Sequence, residues 1–416
     1  FGMTYLYEEV LDRIEHARRF GNLPGVKVSR AMLHRLGEPQ KGMPYVHVAG
    51  TNGKGSVCAF LSSILKEAGY KVGVFTSPHL VDFRERITVN GKMIPKETVT
   101  RIGNRLLAED FGVSPTMFDY CLAMAVLYFK EQQCDIAVME TGLGGKLDST
   151  NALGIPDVAI ITRIGYDHMA ILGNTLSEIA GEKAGIIKKG SYIVSERQEP
   201  EAEAVIKRAA RACKYYELNE MDVKSASELE MQLLGVHQWE NAAAAVKAAE
   251  FLLKDKSDRK QVIQEGIALA KWPGRMEILS KEPFLMVDGA HNGHGVAALK
   301  ESLLMLYPGE KFHFIMGVMA DKDYENMVSE LLPLAEDFIT VTPESERALQ
   351  AERLASFIRG KGIHTECATC VEDALKLWKE RTKKETNVDK KRKTVAFGSL
   401  YFIGEIEAMN DKIGKL

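Results

Sequence analysis

The stretch HVAGTNGKGSVCAF, residues 47–60, decides the fold. An apolar run ends at Gly50 and a glycine-rich turn follows. Val57, Phe60, Leu61, Ile64 and Leu65 then recur at helical spacing until Gly69 closes the pattern. A strand that opens into a helix through such a turn presents free backbone N–H groups and a helix N-terminus to an anion, and glycine lets the anion come close. Gly50, Thr51, Asn52, Gly53, Lys54, Gly55 and Ser56 are therefore the candidate ATP-binding loop, with Lys54 as the point charge for the terminal phosphates. The spelling departs from the usual G-x-x-x-x-G-K-[ST]. Gly55 separates Lys54 from Ser56, so the hydroxyl that ordinarily serves Mg²⁺ is displaced by one position. The plainer alternative is a glycine-rich turn with a surface lysine.

Working outward, YVHVAG (45–50), YKVGVFTS (70–77), CDIAVME (134–140) and PDVAIITRI (156–164) read as buried strands alternating with amphipathic helices. In KWPGRMEILS (271–280), Pro273-Gly274 cannot continue a helix or a central strand, so a hinge is expected there. A second alternating series follows in FLMVDG, FHFIMGVM, FITVTP, GIHTEC and TVAFGS. The expected fold is α/β: a P-loop-type parallel-sheet ATPase domain over 1–272, then a smaller Rossmann-like domain over 273–416.

Bulk properties exclude several classes. At 416 residues, 45% hydrophobic and 27% charged, the chain has enough material for two ordinary cores. A net charge of -3 gives no reason to expect nucleic acid or an anionic membrane as a partner. The longest apolar run, CLAMAVLYF, is too short to span a bilayer. The start FGMTYLYEEV shows no signal-peptide pattern, and six scattered cysteines suit a reducing compartment, so a cytoplasmic location is expected; a monomer is expected separately, with no sequence signal for the oligomeric state. Cys367 and Cys370 form a C-x-x-C with no second pair and are taken as incidental. The basic run 383–393 reads as a solvated loop.

Several single residues carry chemistry. Glu140 ends an apolar strand, and His168 follows the next one; strand ends are where open α/β sheets bind ligands. Thr175 and Glu178 spell a capping box, and the helix it begins puts Lys183 on the face of Leu176, Ile179 and Ala180. A lysine there is expected to have a depressed pKa, and a neutral amine can add CO₂ to form a carbamate. Snorkelling or a direct pair with Glu140 are the alternatives. Asp288 ends FLMVD, Arg275 lies on the hinge, and Asn241 has both a donor and an acceptor for a base edge. An interdomain salt bridge for Arg275 and a helix cap for Asn241 remain open.

The loop and its surroundings resemble the folylpolyglutamate synthases, including the bifunctional dihydrofolate synthases, of the Mur ligase superfamily. TSPHL (76–80), RERITVNG (84–91), ETGLGGKLDSTN (140–151), GYDHMAILGNTLSEIAGEKAGIIKKG (165–190), WPGR (272–275), DGAHN (288–292) and GSLY (398–401) look like that family's blocks in its order, across nearly the whole chain. The resemblance implies Ser77, Glu140 and His168 as Mg²⁺ ligands, with Ser77 supplying the hydroxyl that Ser56 cannot. It implies carbamylation of Lys183, ATP contacts from Asn241, Arg275 and Asp288, and His291 near the reacting groups. It places Phe118, Asp119 and Tyr120 against the pterin-bearing substrate, with Asp119 where many relatives carry glutamate. The implied activity is ATP-dependent addition of L-glutamate to the γ-carboxylate of a reduced folate through an acyl phosphate, with dihydropteroate as a second acceptor left open. Closure about 271–277 would keep water from that intermediate. A Mur-type peptidoglycan ligase is the nearest rival. A nucleotide-switch protein is a rival of another class, but the chain has no N-K-x-D segment and the second domain would be idle in it; a small-molecule kinase that stops at phosphorylation is a further rival.

Overall fold

A computed structural model describes residues 3–18, 21–80, 82–165, 172–235, 237–385 and 391–409. The chain divides into two compact units, Phe1–Gln232 with His237–Lys271 and Leu233–Val236 with Trp272–Leu416. The division at Lys271/Trp272 lies one residue before the expected one. The grouping of 233–236 with the second unit has no signal in the sequence pattern.

The first unit is built on eight strands: β1 (Tyr45–Ala49), β2 (Val72–Phe75), β3 (Ile87–Val89), β4 (Lys92–Met93), β5 (Ile136–Glu140), β6 (Val158–Ile161), β7 (Tyr192–Ser195) and β8 (Lys214–Glu217). Their order is β4-β3-β2-β5-β1-β6-β7-β8; all neighbours from β2 to β8 pair in parallel, and β3 and β4 add antiparallel. Every residue of β1 is buried, which explains a continuous rather than alternating apolar run. The chain leaves β1 toward β2 and β5 on one side and later crosses to β6 on the other. Val48 sits level with both Glu140 and Ile160, so the loops after β1, β5 and β6 emerge together at this switch point.

Helix Lys54–Glu67 buries Val57, Phe60, Leu61, Ile64 and Leu65, the face read from the sequence. Burial of Phe60 alone stabilises by about 2–3 kcal/mol. The helix meets Arg259–Leu269 closely: the Ser63 hydroxyl donates to the Gly266 carbonyl at 2.6 Å, and a Cβ on Gly266 would lie 2.4 Å from the Ile64 Cα. Only glycine fits that contact.

The second unit holds six strands, β9 (Glu277–Lys281), β10 (Phe284–Val287), β11 (Phe312–Met316), β12 (Ala335–Val341), β13 (Thr365–Ala368) and β14 (Lys393–Phe397), in the order β13-β12-β11-β14-β10-β9. Only β9 runs antiparallel. Phe312, Phe314, Phe338 and Phe397 fill one face, and Trp378 with Ile403 and Ile406 the other. All six cysteines are free thiols, no described helix is long and apolar enough to cross a membrane, and the basic run is partly spent on ion pairs: Lys391 with Glu282, Arg392 with Glu336 and Lys393 with Glu310.

One buried ionic cluster has a measurable consequence. His313 at the start of β11 reaches Asp337 at 2.9 Å and Glu385 at 2.5 Å, while Arg381 reaches Asp337 at 2.5 Å and Glu366 at 3.3 Å. Burial pulls the His313 pKa down, but hydrogen bonds and charge from Asp337 and then Glu385 outweigh it, and the net shift is upward from 6.5. A raised histidine pKa contributes stability fully present below the unfolded value and lost as pH rises through the folded one. The melting temperature is therefore expected to decline as pH rises above 6.5, with this component absent in His313→Gln. His313→Ala should cost about 3 kcal/mol at pH 6, because Glu385 loses its histidine partner and Asp337 keeps only Arg381 among the described residues. Thermal melts across pH for the three proteins check both statements; parallel curves for wild type and His313→Gln would count against them.

Candidate active site

The phosphate loop takes its shape from two glycines in backbone regions closed to most residues. Gly50 has φ 148° and Gly53 φ 91°, and Gly53 caps the helix that Lys54 begins. Thr51 and Asn52 donate backbone N–H to the Arg163 carbonyl at 3.1 and 3.3 Å. Lys54 is half-buried and makes no ion pair or side-chain hydrogen bond among the described residues. Ser56 is buried, and its hydroxyl accepts from Gln238 Nε2 at 3.0 Å, in keeping with the displaced spelling.

Glu140 ends β5 and is 6% exposed; its Oε2 accepts the Ser77 N–H at 3.2 Å, which brings the loops after β2 and β5 together. His168 lies outside the described residues. Among those described, no group of three or more His, Cys, Asp or Glu is placed to hold a metal. Glu140 and Ser77 offer hard oxygen donors, a set that fits a cation completing its shell with phosphate and water oxygens.

Lys183 is the last residue of helix Leu176–Lys183 and is 1% exposed, on the inward face. Its Nζ donates to the Gly50 carbonyl at 2.9 Å, so the amine braces the phosphate loop from below. The helix start differs from the expected capping box. Thr175 accepts the Glu178 N–H at 3.1 Å, but the Glu178 carboxylate accepts from Asn174 N rather than Thr175 N, because the chain at Gly173 (φ 134°) packs against it.

A cavity of about 710 Å³ adjoins this region, with Ser77, Arg86, Thr116, Phe118, Leu143 and Asp148 in its lining. The structure divides the expected trio 118–120. Phe118 lines the cavity, edge-on to Phe75 at 5.4 Å. Asp119 is fully buried instead: one oxygen accepts from Thr116 N and Oγ1, both at 2.9 Å, and the other from the hydroxyls of Ser149 (2.6 Å) and Ser29 (3.1 Å). As the third residue of helix Met117–Glu131 its carboxylate folds back over the helix start, so it shapes the cavity wall rather than facing the space. Tyr120 packs on the core behind the helix.

Asp148 was not singled out in the sequence. Its Oδ1 accepts the Gly142 and Leu143 N–H groups at 3.1 and 2.9 Å, and its Oδ2 the N–H and hydroxyl of Thr150. Burial raises its pKa against the lowering effect of those hydrogen bonds. His47, in the middle of β1, completes the chain through Thr150 Oγ1 at 2.7 Å; burial and the charge of Lys188 lower its pKa to about 3, so it is neutral. The clue was a carboxylate inside the glycine-rich block 140–151.

Asn241 is buried in the first turn of helix Gln238–Leu252, which His237 caps, so the cap alternative is set aside. Its Nδ2 donates to Gln238 Oε1 at 3.1 Å and its Oδ1 has no hydrogen-bond partner among the described residues. In the second unit, Asp288 at the end of β10 accepts from Met276 N (3.1 Å) and Ala290 N (2.8 Å), which holds Met276 at φ 44°. Burial raises the Asp288 pKa, and the Arg275 guanidinium opposes that. Arg275 lies over the Trp272 ring at 4.9 Å. His291 Nδ1 donates to the Gly289 carbonyl at 2.9 Å, which makes Nε2 the acceptor nitrogen of the neutral ring, and burial lowers its pKa from 6.5.

Comparison with known proteins supplies the context. Residues 48–249 match the Mur ligase middle domain and residues 274–388 the Mur ligase glutamate ligase domain. The dihydrofolate synthase/folylpolyglutamate synthase of Bacillus subtilis is 37% identical, covering 97% of this chain and 99% of its own. The folylpolyglutamate synthase structure from Thermotoga maritima superposes with a TM-score of 0.83 at 31% identity, covering 99% of both chains. The Mycobacterium tuberculosis folylpolyglutamate synthase, solved with ADP and AMPPCP, gives 0.81 at 27% identity, covering 93% of this chain and 95% of that one.

Proposed function

The chain belongs to the folylpolyglutamate synthase/dihydrofolate synthase family of the Mur ligases, and from that premise we propose that it is an ATP-dependent ligase joining L-glutamate to the γ-carboxylate of a reduced folate. The observation that carries this reading is the continuity within one unit from the phosphate loop, through Glu140 and Ser77, to the cavity behind Phe118.

A carboxylate oxygen is a poor leaving group, so the acid must first be activated. The folate carboxylate attacks the γ-phosphorus of ATP, ADP departs, and an acyl phosphate results. The glutamate nitrogen then adds to the acyl carbon, loses its proton and expels phosphate carrying the former carboxylate oxygen. The N–H groups at the start of helix Lys54–Glu67 and the Lys54 ammonium hold the phosphates and spread the charge that develops on transfer. Asn241, with an open buried acceptor, suits an exocyclic amine of the base. By family resemblance, Arg275 and Asp288 are proposed as nucleotide contacts as well. The acceptor Nε2 of His291 suits it to take a proton from an amine. Ser77 and Glu140, with His168 by family resemblance, would hold a Mg²⁺ ion, which neutralises phosphate charge when bound. Phe118 offers a flat face for a pterin ring.

A carbamate on Lys183 is also proposed. Carbamylation leaves one N–H on the nitrogen, so the bond to the Gly50 carbonyl survives while negative charge is added. Mass spectrometry of the intact protein, prepared with and without bicarbonate, reads the added CO₂ directly.

The activity is tested by supplying tetrahydrofolate and dihydropteroate separately with glutamate and Mg-ATP and identifying products by mass. ADP release should require both acceptor and glutamate, and tetrahydrofolate should gain glutamate units. Release of ADP without glutamate incorporation would point to a kinase. A product from dihydropteroate would add the dihydrofolate synthase activity.

A further inference from the structure

The tripeptide after β7, Glu196-Arg197-Gln198, lies in none of the blocks that carry the family resemblance, yet hydrogen bonds run from it toward both halves of the candidate nucleotide site. Glu196 N donates to the Ile161 carbonyl at 2.9 Å, extending the β6–β7 ladder by one step. Gln198 then acts as a side-chain strand: its Nε2 donates to the Thr162 carbonyl and its Oε1 accepts the Ile164 N–H, both at 2.9 Å. These bonds fix residues 162–165, the segment on which the phosphate loop rests. There the Arg163 carbonyl accepts from Thr51 N and Asn52 N. The Thr51 hydroxyl accepts the Gly165 N–H at 2.9 Å and donates to the Gly165 carbonyl at 3.1 Å.

The second route leaves through Arg197. Its backbone N–H reaches Glu240 Oε1 at 2.7 Å, and its guanidinium pairs with both Glu240 oxygens at 3.1 Å. Glu240 precedes Asn241 in the first turn of helix 238–252, the turn that also carries Gln238 to the Ser56 hydroxyl. A Cβ on Gly53 would sit 2.3 Å from Asn241 Oδ1, so this turn packs directly on the loop. Glu196 is itself buried, 1% exposed. Burial first, and then the charge of Glu240, push its pKa up against an N–H bond from Arg163.

We propose that Glu196, Arg197 and Gln198 form a positioning element for the nucleotide site, holding the phosphate loop and the Asn241 helix turn in register. This rests on reading residues 50–56 as the nucleotide loop. The physical reason is preorganisation: N–H groups aimed at a phosphate stabilise it only if they need not be gathered when it arrives, and small misplacement is costly. None of the three touches nucleotide in this account, so their effect should be specific to ATP and ADP.

The test uses Gln198→Leu and Arg197→Met in the full chain, with ADP binding by calorimetry and separate KM values for ATP, folate and glutamate. Each variant is expected to weaken ADP about tenfold, equal to about 1.4 kcal/mol, and to raise the KM for ATP similarly. KM for folate and glutamate should stay within about twofold. A purely structural role would lower the melting temperature or the active fraction while the surviving enzyme bound ADP normally; that result overturns the proposal. The Arg197 side chain is 40% exposed, so its truncation keeps the test available where Gln198→Leu does not fold. Wild type that binds no ADP would instead overturn the reading of the loop.

Discussion

Lys54→Met should lower kcat on the order of 10³-fold with little change in melting temperature. Lys54 begins its helix on a left-handed glycine, and no described carboxylate or carbonyl takes up its ammonium. Its charge is therefore available to a ligand, and its removal should leave the fold undisturbed. In the proposed reaction that charge is needed most as the γ-phosphoryl group passes between oxygens, so kcat should fall more than the affinity for ADP. Arginine should restore little, since a planar fork does not reproduce a compact ammonium at the turn. Steady-state kinetics with all three substrates, alongside ADP calorimetry, measure both quantities. A variant with near-normal kcat would return Lys54 to the status of a surface lysine.

Gly53→Ala should reduce nucleotide affinity about 10²-fold and destabilise the chain by about 1–3 kcal/mol. Two effects act together. The backbone at φ 91° disfavours any side chain, and the new methyl would meet Asn241 Oδ1 at 2.3 Å. The loop, the Asn241 turn or both must move, and each is assigned to the same ligand. Gly190→Ala separates strain from displacement: φ is 101° there, but the nearest atom to a new Cβ is Ile155 Cγ2 at 3.8 Å. That variant should lose about 1 kcal/mol and keep its nucleotide affinity. Equal affinity losses in the two variants would assign the effect to global stability instead.

How far the sequence carries can be judged residue by residue. The strand–turn–helix at 45–67 was legible because each of its signals is local: a fully buried run, glycines at the turn and one apolar helical face. Placement of Lys183 on the inward face followed from spacing alone. Asp119 was harder, since its sequence neighbours say nothing about Ser29 and Ser149, which fold back on it from 90 and 30 residues away. Gln198 and Glu240 escaped for the same reason; their work is done through bonds to residues 34 to 43 positions distant. Local chemistry is written in the chain, whereas the supports behind it appear only once the strands are laid side by side.

The central claim is that the folate carboxylate is phosphorylated before the amine attacks. The most direct measurement supplies a folate whose γ-carboxylate is labelled with ¹⁸O, together with Mg-ATP and glutamate, and follows the label in the released phosphate. Transfer of one labelled oxygen into phosphate for each amide formed is the result expected here. Phosphate released without label, while glutamate is still joined to folate, would contradict it.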